Sequence, residues 1–495
     1  MIFWEFFMSV CPATEDFFRL RIDQMIDLRQ PLAVLSSRMP WQEIEARTAH
    51  LFLKKAKTGQ PMPDLDLFGE KPSRIPKPSA AGRPRLPLRL MVSLLYLKHA
   101  FNESDAGLVA RWAETPSWQF FSGRAYFENC PPCDDTSLVK FRKLLGDEGV
   151  EELLAQTINV AVELELIGKN DLREVIVDTT VQPKAIAHPT DSRLLEVART
   201  KLVQAAKDAG VALKQTFAKE GKELRFKAGR YAHAKQTRRL KTTLKRQRII
   251  LGRLQRDIER KAKVMSLAVR DALDHAMHKA SRLIEQSQQR KTVKGNPKLY
   301  AWHAPEVECI NKGKARQPYE FGVKVSVATT FNGNLIVGAR AFHGNPYDGH
   351  TLSEQLDQAT ILMQDIDREN PIRPHTAFVD LGYRGVDADS PDVRIIHRGK
   401  FKSLPPEERR KLKRRQAVEP IIGHLKSDHR MNRCPLKGEI GDTLHAVLCA
   451  AGYNLRWLLR MIARKGGFYA HFIFLRLFLW DEMRNDSRGL RLRVA

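Results

Sequence analysis

Two short apolar runs, far apart in the chain, constrain the fold most. "EVIVDTT" (174–180) and "TAFVD" (376–380) are rich in β-branched or aromatic residues, and each carries an aspartate at or near its end. A strand that is apolar on both faces belongs in the middle of a sheet covered by helices. The chain is therefore predicted to be an α/β protein with Asp178 and Asp380 at a sheet edge, where open α/β sheets hold their ligands. The alternative for each aspartate alone is a cap on the next turn.

A hairpin is the clearest local prediction. "FGVKVSVATT" (321–330) alternates between apolar and polar residues, Asn332-Gly333-Asn334 is typical of a turn, and "LIVGARAF" (335–342) returns as a second strand. "VRIIHRG" (393–399) has the composition of a further strand.

Residues 86–165 have the apolar spacing of several short helices. One of them, "DDTSLVKFRKLLG", is expected to begin at a cap on Asp135 or Thr136 and to end at Gly146. Short helices with short turns and exposed cations suit a helix-turn-helix DNA-binding module, while an all-α packing domain fits the pattern equally well. Just upstream, Arg83 and Arg85 in "GRPR" are candidate DNA contacts, although a proline-rich spacer is the simpler interpretation.

Charge is concentrated in one segment. The whole chain carries a net charge of +26, and residues 192–296 contain 28 Lys and Arg against 9 Asp and Glu. This segment has no proline and is rich in good helix formers, so two or three long basic helices are expected. A surplus of this size favours a polyanionic partner, and DNA backbone is the preferred interpretation over a merely solvated hairpin.

The apolar stretches at the two ends of the chain are too short to span a bilayer. "MIFWEFFMSV" opens the sequence and "FYAHFIFLRLFLW" covers 468–480, whereas a spanning helix needs about 20 apolar residues. The first stretch contains Glu5 and lacks a basic start, so it is a poor export signal. A cytoplasmic, nucleoid-associated protein is the expectation.

A third carboxylate, Glu419, stands at a helix start that a proline marks. In "RRQAVEPIIGHLK", Arg415, Glu419 and Lys426 share one face if the helix is continuous, and a salt-bridge ladder would explain them as well as a site would. Pro420 indicates that the helix begins near Glu419. Three converging carboxylates repel one another unless a cation neutralises them, and oxygen ligands suit Mg²⁺ or Mn²⁺.

Five long motifs, in this order, resemble bacterial insertion-sequence transposases of the DDE type, most closely the insertion-sequence-five family. They are "VDTTVQPKAIAHPTD", "HAPEVECINKGKARQPYEFGVKVSVATT", "HGNPYDGHTL", "FVDLGYRG" and "RRQAVEPIIGHLKSDHRMNRCPLKGEIGD". The resemblance extends from about Gly82 to about Arg460. The family's Tyr-x2-Arg-x3-Glu-x6-Lys motif is matched at Arg415, Glu419 and Lys426, while Leu412 stands at the tyrosine position.

The resemblance implies an RNase H-like catalytic core in which Asp178, Asp380 and Glu419 are the catalytic, metal-binding triad. It implies two Mg²⁺ or Mn²⁺ ions per site and metal-dependent phosphoryl transfer on double-stranded DNA at the terminal inverted repeats and the target. Arg415 and Lys426 would then face DNA phosphate. Cutting and joining two ends implies a homodimer or a higher oligomer.

The expected organisation has five parts. An N-terminal extension and linker (1–81) and a helical DNA-binding domain (82–170) precede a core formed by 171–190 and 318–465, which a basic helical insertion (191–300) interrupts. A C-terminal tail (466–495) follows. The alternatives are a catalytically degenerate DNA-binding regulator and an RNase H-like nuclease without strand transfer.

Overall fold

The computed structural model describes residues 20–52, 85–262, 267–288, 298–311 and 318–491. In chain order the helices are α1 (Ile22–Met25), α2 (Pro31–Arg38), α3 (Trp41–Thr48), α4 (Leu88–Ala100), α5 (Asp105–Glu114), α6 (Pro116–Phe121), α7 (Asp135–Glu163), α8 (Asp191–Asp208), α9 (Ala218–His233), α10 (Thr237–Ala262), α11 (Leu267–Gln288), α12 (Leu352–Met363), α13 (Pro406–Lys411), α14 (Val418–Asp428) and α15 (Gly438–Arg491). The strands are β1 (Glu174–Pro183), β2 (Glu308–Asn311), β3 (Tyr319–Thr330), β4 (Ile336–Phe342), β5 (Thr376–Phe378) and β6 (Arg394–Ile396).

The strands form one mixed sheet in the order β2-β3-β1-β5-β6, and β4 also pairs with β3. β1 is antiparallel to β3 and parallel to β5, and β5 is parallel to β6. The predicted α/β class, the hairpin and the strand pairing of 174–180 with 376–380 are confirmed. The register places Ile176 opposite Phe378, so Asp178 and Asp380 each follow that last pair by two residues.

The predicted position of Asp178 needs a correction. β1 does not end near it but continues to Pro183, because Thr179 to Pro183 keep pairing with β3. On the other side, β5 ends opposite Ile176, two residues before Asp178. Asp178 is therefore a mid-strand residue just beyond the end of β5, and only Asp380 truly follows its strand.

A single apolar core joins the N-terminal helices to the sheet. The cluster includes Leu35 of α2, Trp41 of α3, Leu94 of α4, Val175 of β1 and Leu448 of α15. Apolar packing therefore continues from the helices within 20–52 through α4 to the sheet.

Helices α4 and α15 approach each other closely within this core. A side chain at Gly452 would place its Cβ 2.5 Å from the Cβ of His99, so only glycine permits this contact. α15 continues to Arg491, well beyond the expected end of the core at 465.

One helix boundary differs from expectation and another is confirmed. Asp134, rather than Asp135 or Thr136, caps α7 by accepting a hydrogen bond from the backbone N–H of Thr136. The first helical part of α7 ends at Gly146, as predicted, because Gly146 has a non-helical φ of 62°, a conformation that glycine adopts readily, and a second helical part follows it directly.

Four helices, α8 to α11, lie between β1 and β2, where two or three were expected. They share a second apolar cluster, which includes Leu195, Leu202, Leu251, Ile258 and Leu283. Its separation from the sheet's core shows that these helices bury apolar surface mainly against one another. Of the helices that the structure describes, none combines the length and apolar character that crossing a membrane requires.

Candidate active site

One apolar cluster beneath the sheet edge positions the three acids. Ile176 and Phe378, each two residues before an aspartate, pack in it with Val418, which directly precedes Glu419. The rings of Phe331 and Phe378 lie 4.6 Å apart within the same cluster. Because close-packed side chains resist displacement, this cluster fixes the backbone from which all three carboxylates project.

Arg415 lies at the centre of these acids. Its Nη1 is 3.6 Å from Asp178 Oδ2, and its Nη2 is 3.8 Å from Asp380 Oδ1 and 3.7 Å from Glu419 Oε1. Asp380 and Glu419 both contact Nη2, so Asp380 Oδ1 and Glu419 Oε1 lie no farther apart than the sum of their two distances to that nitrogen. The structure thus brings together three acids that the sequence separates widely.

The helix that carries Glu419 is not continuous with the segment that carries Arg415. Leu412–Ala417 is a 3₁₀ turn, and α14 begins at Val418 with Glu419 as its second residue. The helix start near Glu419 that Pro420 indicated is therefore confirmed, and a 3₁₀ turn rather than α-helix carries Arg415. Arg415 still reaches Glu419, because the 3₁₀ turn and α14 follow one another directly.

The acids are open to solvent on one side. The side chains of Asp380 and Glu419 are 53% and 63% exposed, whereas Asp178 is 21% and Arg415 only 16% exposed. Arg415 Nη1 is buried without a hydrogen-bond partner, although ion-pair contact with Asp178 compensates its charge. Three carboxylates with one open side can hold a hard divalent cation, since such ions prefer oxygen ligands.

Within the described ranges, the only cluster of three potential metal ligands within 4.8 Å of one another is His99, His445 and Cys449. The three acids are therefore spaced more widely than that, around the guanidinium rather than around a shared point. Repulsion between like charges favours such spacing.

Asp348 is a fourth carboxylate near the site, and the sequence did not single it out. It accepts hydrogen bonds from Thr179 Oγ1 and from Lys324 Nζ, both at 2.9 Å. Burial, together with the nearby charges of Asp178 and Asp348, raises the pKa of the Tyr383 hydroxyl well above its ordinary value. The "HGNPYDGH" motif, which precedes α12, was the available signal for Asp348.

The predicted DNA-contacting residues are not gathered in one place. Lys426 lies two turns along α14 from Glu419, and its Nζ is 3.6 Å from Glu320 of β3. Arg85 is exposed at the start of the N-terminal helical region, and Arg83 falls outside the described residues. Of the three that the structure describes, Arg415 is the one in ion-pair contact with the acids.

Leu412 has a structural explanation. It is 9% exposed and packs in the cluster beneath the acids with Ile176 and Phe378. Burial of a leucine side chain stabilises a fold by about 1.5–3 kcal/mol, so the residue at this position contributes to the support of the site.

Two parts of the chain match known families. Residues 70–144 match a family described as "Transposase domain (DUF772)", and residues 392–459 match a "Transposase DDE domain". A protein of Rhizobium meliloti, described as uncharacterized protein ORF8 in nfe locus, is 39% identical over 221 residues, which cover 45% of this chain and 94% of that protein. No solved structure matches the chain. The second family range contains Arg415 and Glu419, while both aspartates lie outside the two ranges.

Proposed function

This chain belongs to the DDE transposases of bacterial insertion sequences, and from that premise we propose that it cuts DNA at the ends of its element and joins them to target DNA. The observation that carries the proposal is the meeting of Asp178, Asp380 and Glu419 around Arg415. Their carboxylates would hold two divalent ions, Mg²⁺ or Mn²⁺.

The order of strands supports an RNase H-like core. β1 lies at the centre of the sheet. On one side lies β3, antiparallel to β1, with β2 and β4 paired to it; on the other side lie the parallel strands β5 and β6. Asp178 then comes from the central strand, Asp380 from the end of its parallel neighbour and Glu419 from a helix across them.

The proposed reaction has two steps of the same kind. Water attacks the phosphorus at the element end, the bond from phosphorus to the 3′ oxygen breaks, and a 3′-hydroxyl is released. That hydroxyl then attacks a target phosphate, and a new phosphodiester forms while the target's own 3′ oxygen leaves. Bound divalent cations supply a more acidic water and charge stabilisation at the leaving oxygen.

The chain's own residues bind and orient the substrate in this proposal. Arg415 balances the acids in the free protein and would turn toward the phosphate once the cations take over that task. The N-terminal helices, with Arg83 and Arg85, would recognise the terminal repeats, and α8 to α11 would hold backbone phosphates. Lys426 would contact the strand farther from the cut. Two ends must be handled together, so a dimer or a larger assembly on DNA is expected.

The experiment uses linear DNA that carries the gene with its flanking sequence, together with Mg²⁺. Asp178→Asn, Asp380→Asn and Glu419→Gln should each abolish cutting while DNA binding is retained, because each removes one carboxylate of the site. Asp357→Asn and Glu369→Gln are matched controls, since both residues are exposed and lie outside the site.

The outcomes separate the competing functions. A wild-type protein that binds the ends but does not cut them would be a degenerate regulator. Cutting without joined products would identify a nuclease that lacks strand transfer. Normal cutting by any triad variant would remove that residue from the site.

A further inference from the structure

A cleft opens beside the acids and is not explained by the triad. It has a volume of about 680 Å³, and both Asp380 and Arg415 line it. The rest of its lining comes from the residue after Asp380, from the 3₁₀ turn Arg398–Ser403 and from other residues of the segment 409–416. Binding pockets for small organic ligands span roughly 300–1,000 Å³, so this cleft has room for a nucleotide. Anything bound in it would lie next to the reacting phosphate.

The charge of the cleft indicates an anionic occupant. Arg398, Arg410 and Lys413 line it, and among the described residues no carboxylate lies within ion-pair distance of these three. Asp380 is its only acidic lining residue and is itself in contact with Arg415. Unpaired cations around an enclosed space attract phosphate groups strongly, because low-dielectric walls focus their field.

The cleft also contains apolar surface that phosphate alone would not use. Phe401 is 48% exposed and Leu381 is 39% exposed, and both face this space. Arg409 packs against the Phe401 ring at 5.4 Å from its centroid. The guanidinium of Arg409 is held in turn by the backbone carbonyls of Leu404 at 2.8 Å and Lys402 at 3.0 Å. The aromatic ring is therefore kept in place before any ligand arrives.

We infer that this cleft binds an unpaired nucleotide next to the scissile phosphate, with its base stacked on Phe401 and its phosphates beside Arg410 and Lys413. The inference rests on the proposed function, because it places the DNA strand across Asp380. Proteins that bind single strands combine a cationic groove with aromatic rings in this way, since every base has a face that can stack. A base paired in a duplex would not offer that face, so the strand is locally open at the cut.

The test combines Phe401 variants with abasic substrates. Element-end DNA carrying one abasic residue at successive positions around the cut is offered to the wild type and to Phe401→Ala. The wild type should lose about 5- to 150-fold in cutting at the one position whose base stacks on Phe401. Phe401→Ala should cut intact DNA more slowly by a similar factor and lose nothing further at that position, as expected for two groups that act through one contact.

Two further variants separate stacking from folding. Phe401→Trp keeps an aromatic face and should retain both cutting and its dependence on that base, whereas Phe401→Leu should behave as the alanine variant does. Ile361→Ala, which alters an apolar residue 56% exposed on α12, should leave the abasic profile unchanged.

The failures are distinguishable. Equal additional losses in Phe401→Ala and wild type at every abasic position, or wild-type cutting by Phe401→Ala, would overturn this inference while Asp380→Asn still tests the proposed function. Absence of any cutting by the wild type would overturn both.

Discussion

The sheet core and the α8–α11 insertion both contain many cationic side chains, but the two regions differ in how these side chains are paired with carboxylates. In the core, Arg415 contacts three carboxylates, and Lys184 is buried between Glu306 and Asp442, each at 2.8 Å. In the insertion, exposed pairs such as Arg246 with Glu220 exist, yet 28 Lys and Arg face only 9 Asp and Glu over residues 192–296. The core therefore uses cations to fix geometry, while the insertion presents a net positive field.

The Lys184 network shows how strongly the core depends on this pairing. Burial alone would lower the pKa of Lys184, but Asp442 and Glu306 together raise it above its ordinary value. Glu306 also accepts a hydrogen bond from the backbone N–H of Gly438, at the start of α15, at 2.7 Å. The network thus ties the end of β1 to the last helix.

The largest expected effect follows from breaking that network. Lys184→Met should reduce the free energy of unfolding by about 3–5 kcal/mol, because it leaves two carboxylates buried without their partner. Arg246→Met, which removes an exposed pair in the insertion, should cost less than about 1 kcal/mol. Urea unfolding followed by circular dichroism measures both, and equal losses would erase the proposed difference between the two regions.

Arg415 gives the second effect, on activity rather than stability. Arg415→Gln should lower end cutting by about 100-fold, since it removes a charge that would face the reacting phosphate. The same change should not weaken Mn²⁺ binding measured by calorimetry, because it removes a cation that shares the three carboxylates. Arg373→Gln, in an exposed pair with Asp392, is the control. Weaker Mn²⁺ binding would show instead that Arg415 holds the acids in place.

These contacts mark the limit of what the sequence could reveal. Alternation and β-branched runs report local burial, so the strands, the hairpin and the central position of β1 were predictable. Periodicity also placed Arg415 near Glu419. It gave no sign that Arg415 contacts both aspartates, or that Lys184 meets a residue 258 positions away. Such pairs depend on the tertiary fold, and no spacing in the chain encodes them.

The packing of the helices within 20–52 could not be predicted from the sequence for the same reason. The helices within 20–52 are short and separated from α4 by residues of linker-like composition, so they were assigned to an extension. Their apolar residues Leu35, Trp41 and Ile44 nevertheless pack in the core that contains the sheet. Lys426 lies on α14 with Glu419, and its contact with Glu320 of β3 is another pair that spacing along the chain does not predict.

The third prediction concerns buried histidines where α4, α14 and α15 meet. Burial lowers the pKa of His429 to about 4 and that of His445 to about 3, from an ordinary value of 6.5. The unfolded chain therefore binds protons at these residues from about pH 6.5 downward, while the folded core does not. The contribution of these histidines to the free energy of unfolding is therefore fully present above about pH 6.5. It should fall as the pH drops, by roughly 1 kcal/mol per pH unit for each histidine.

Urea unfolding between neutral pH and about pH 4 measures this slope. His445→Gln should flatten it while keeping a donor for the Arg430 carbonyl, which His445 Nε2 approaches at 3.0 Å. Asp105 does not interfere, because its pKa is lowered from 3.8 to about 2 and its contribution is lost only in stronger acid. An unchanged slope in the variant would mean that His445 does not determine the acid sensitivity of the core.

The smallest effect should come from the insertion's exposed charges. Arg238, Lys241 and Lys245 lie on one face of α10, are exposed, and have no carboxylate within ion-pair distance among the described residues. If they bind DNA backbone, changing all three to glutamine should weaken binding to any sequence. The slope of log K against log salt should also become shallower, by up to about 0.9 for each phosphate that the variant no longer neutralises.

The matched triple variant changes Lys169, Arg368 and Arg373, which are exposed but pair with Asp367, Asp365 and Asp392. Both variants lower the net charge equally, so a shallower slope in the α10 variant alone would assign the DNA-binding surface to the insertion. Equal slopes in the two variants would mean that the net positive charge of the insertion acts on DNA only as a diffuse electrostatic field.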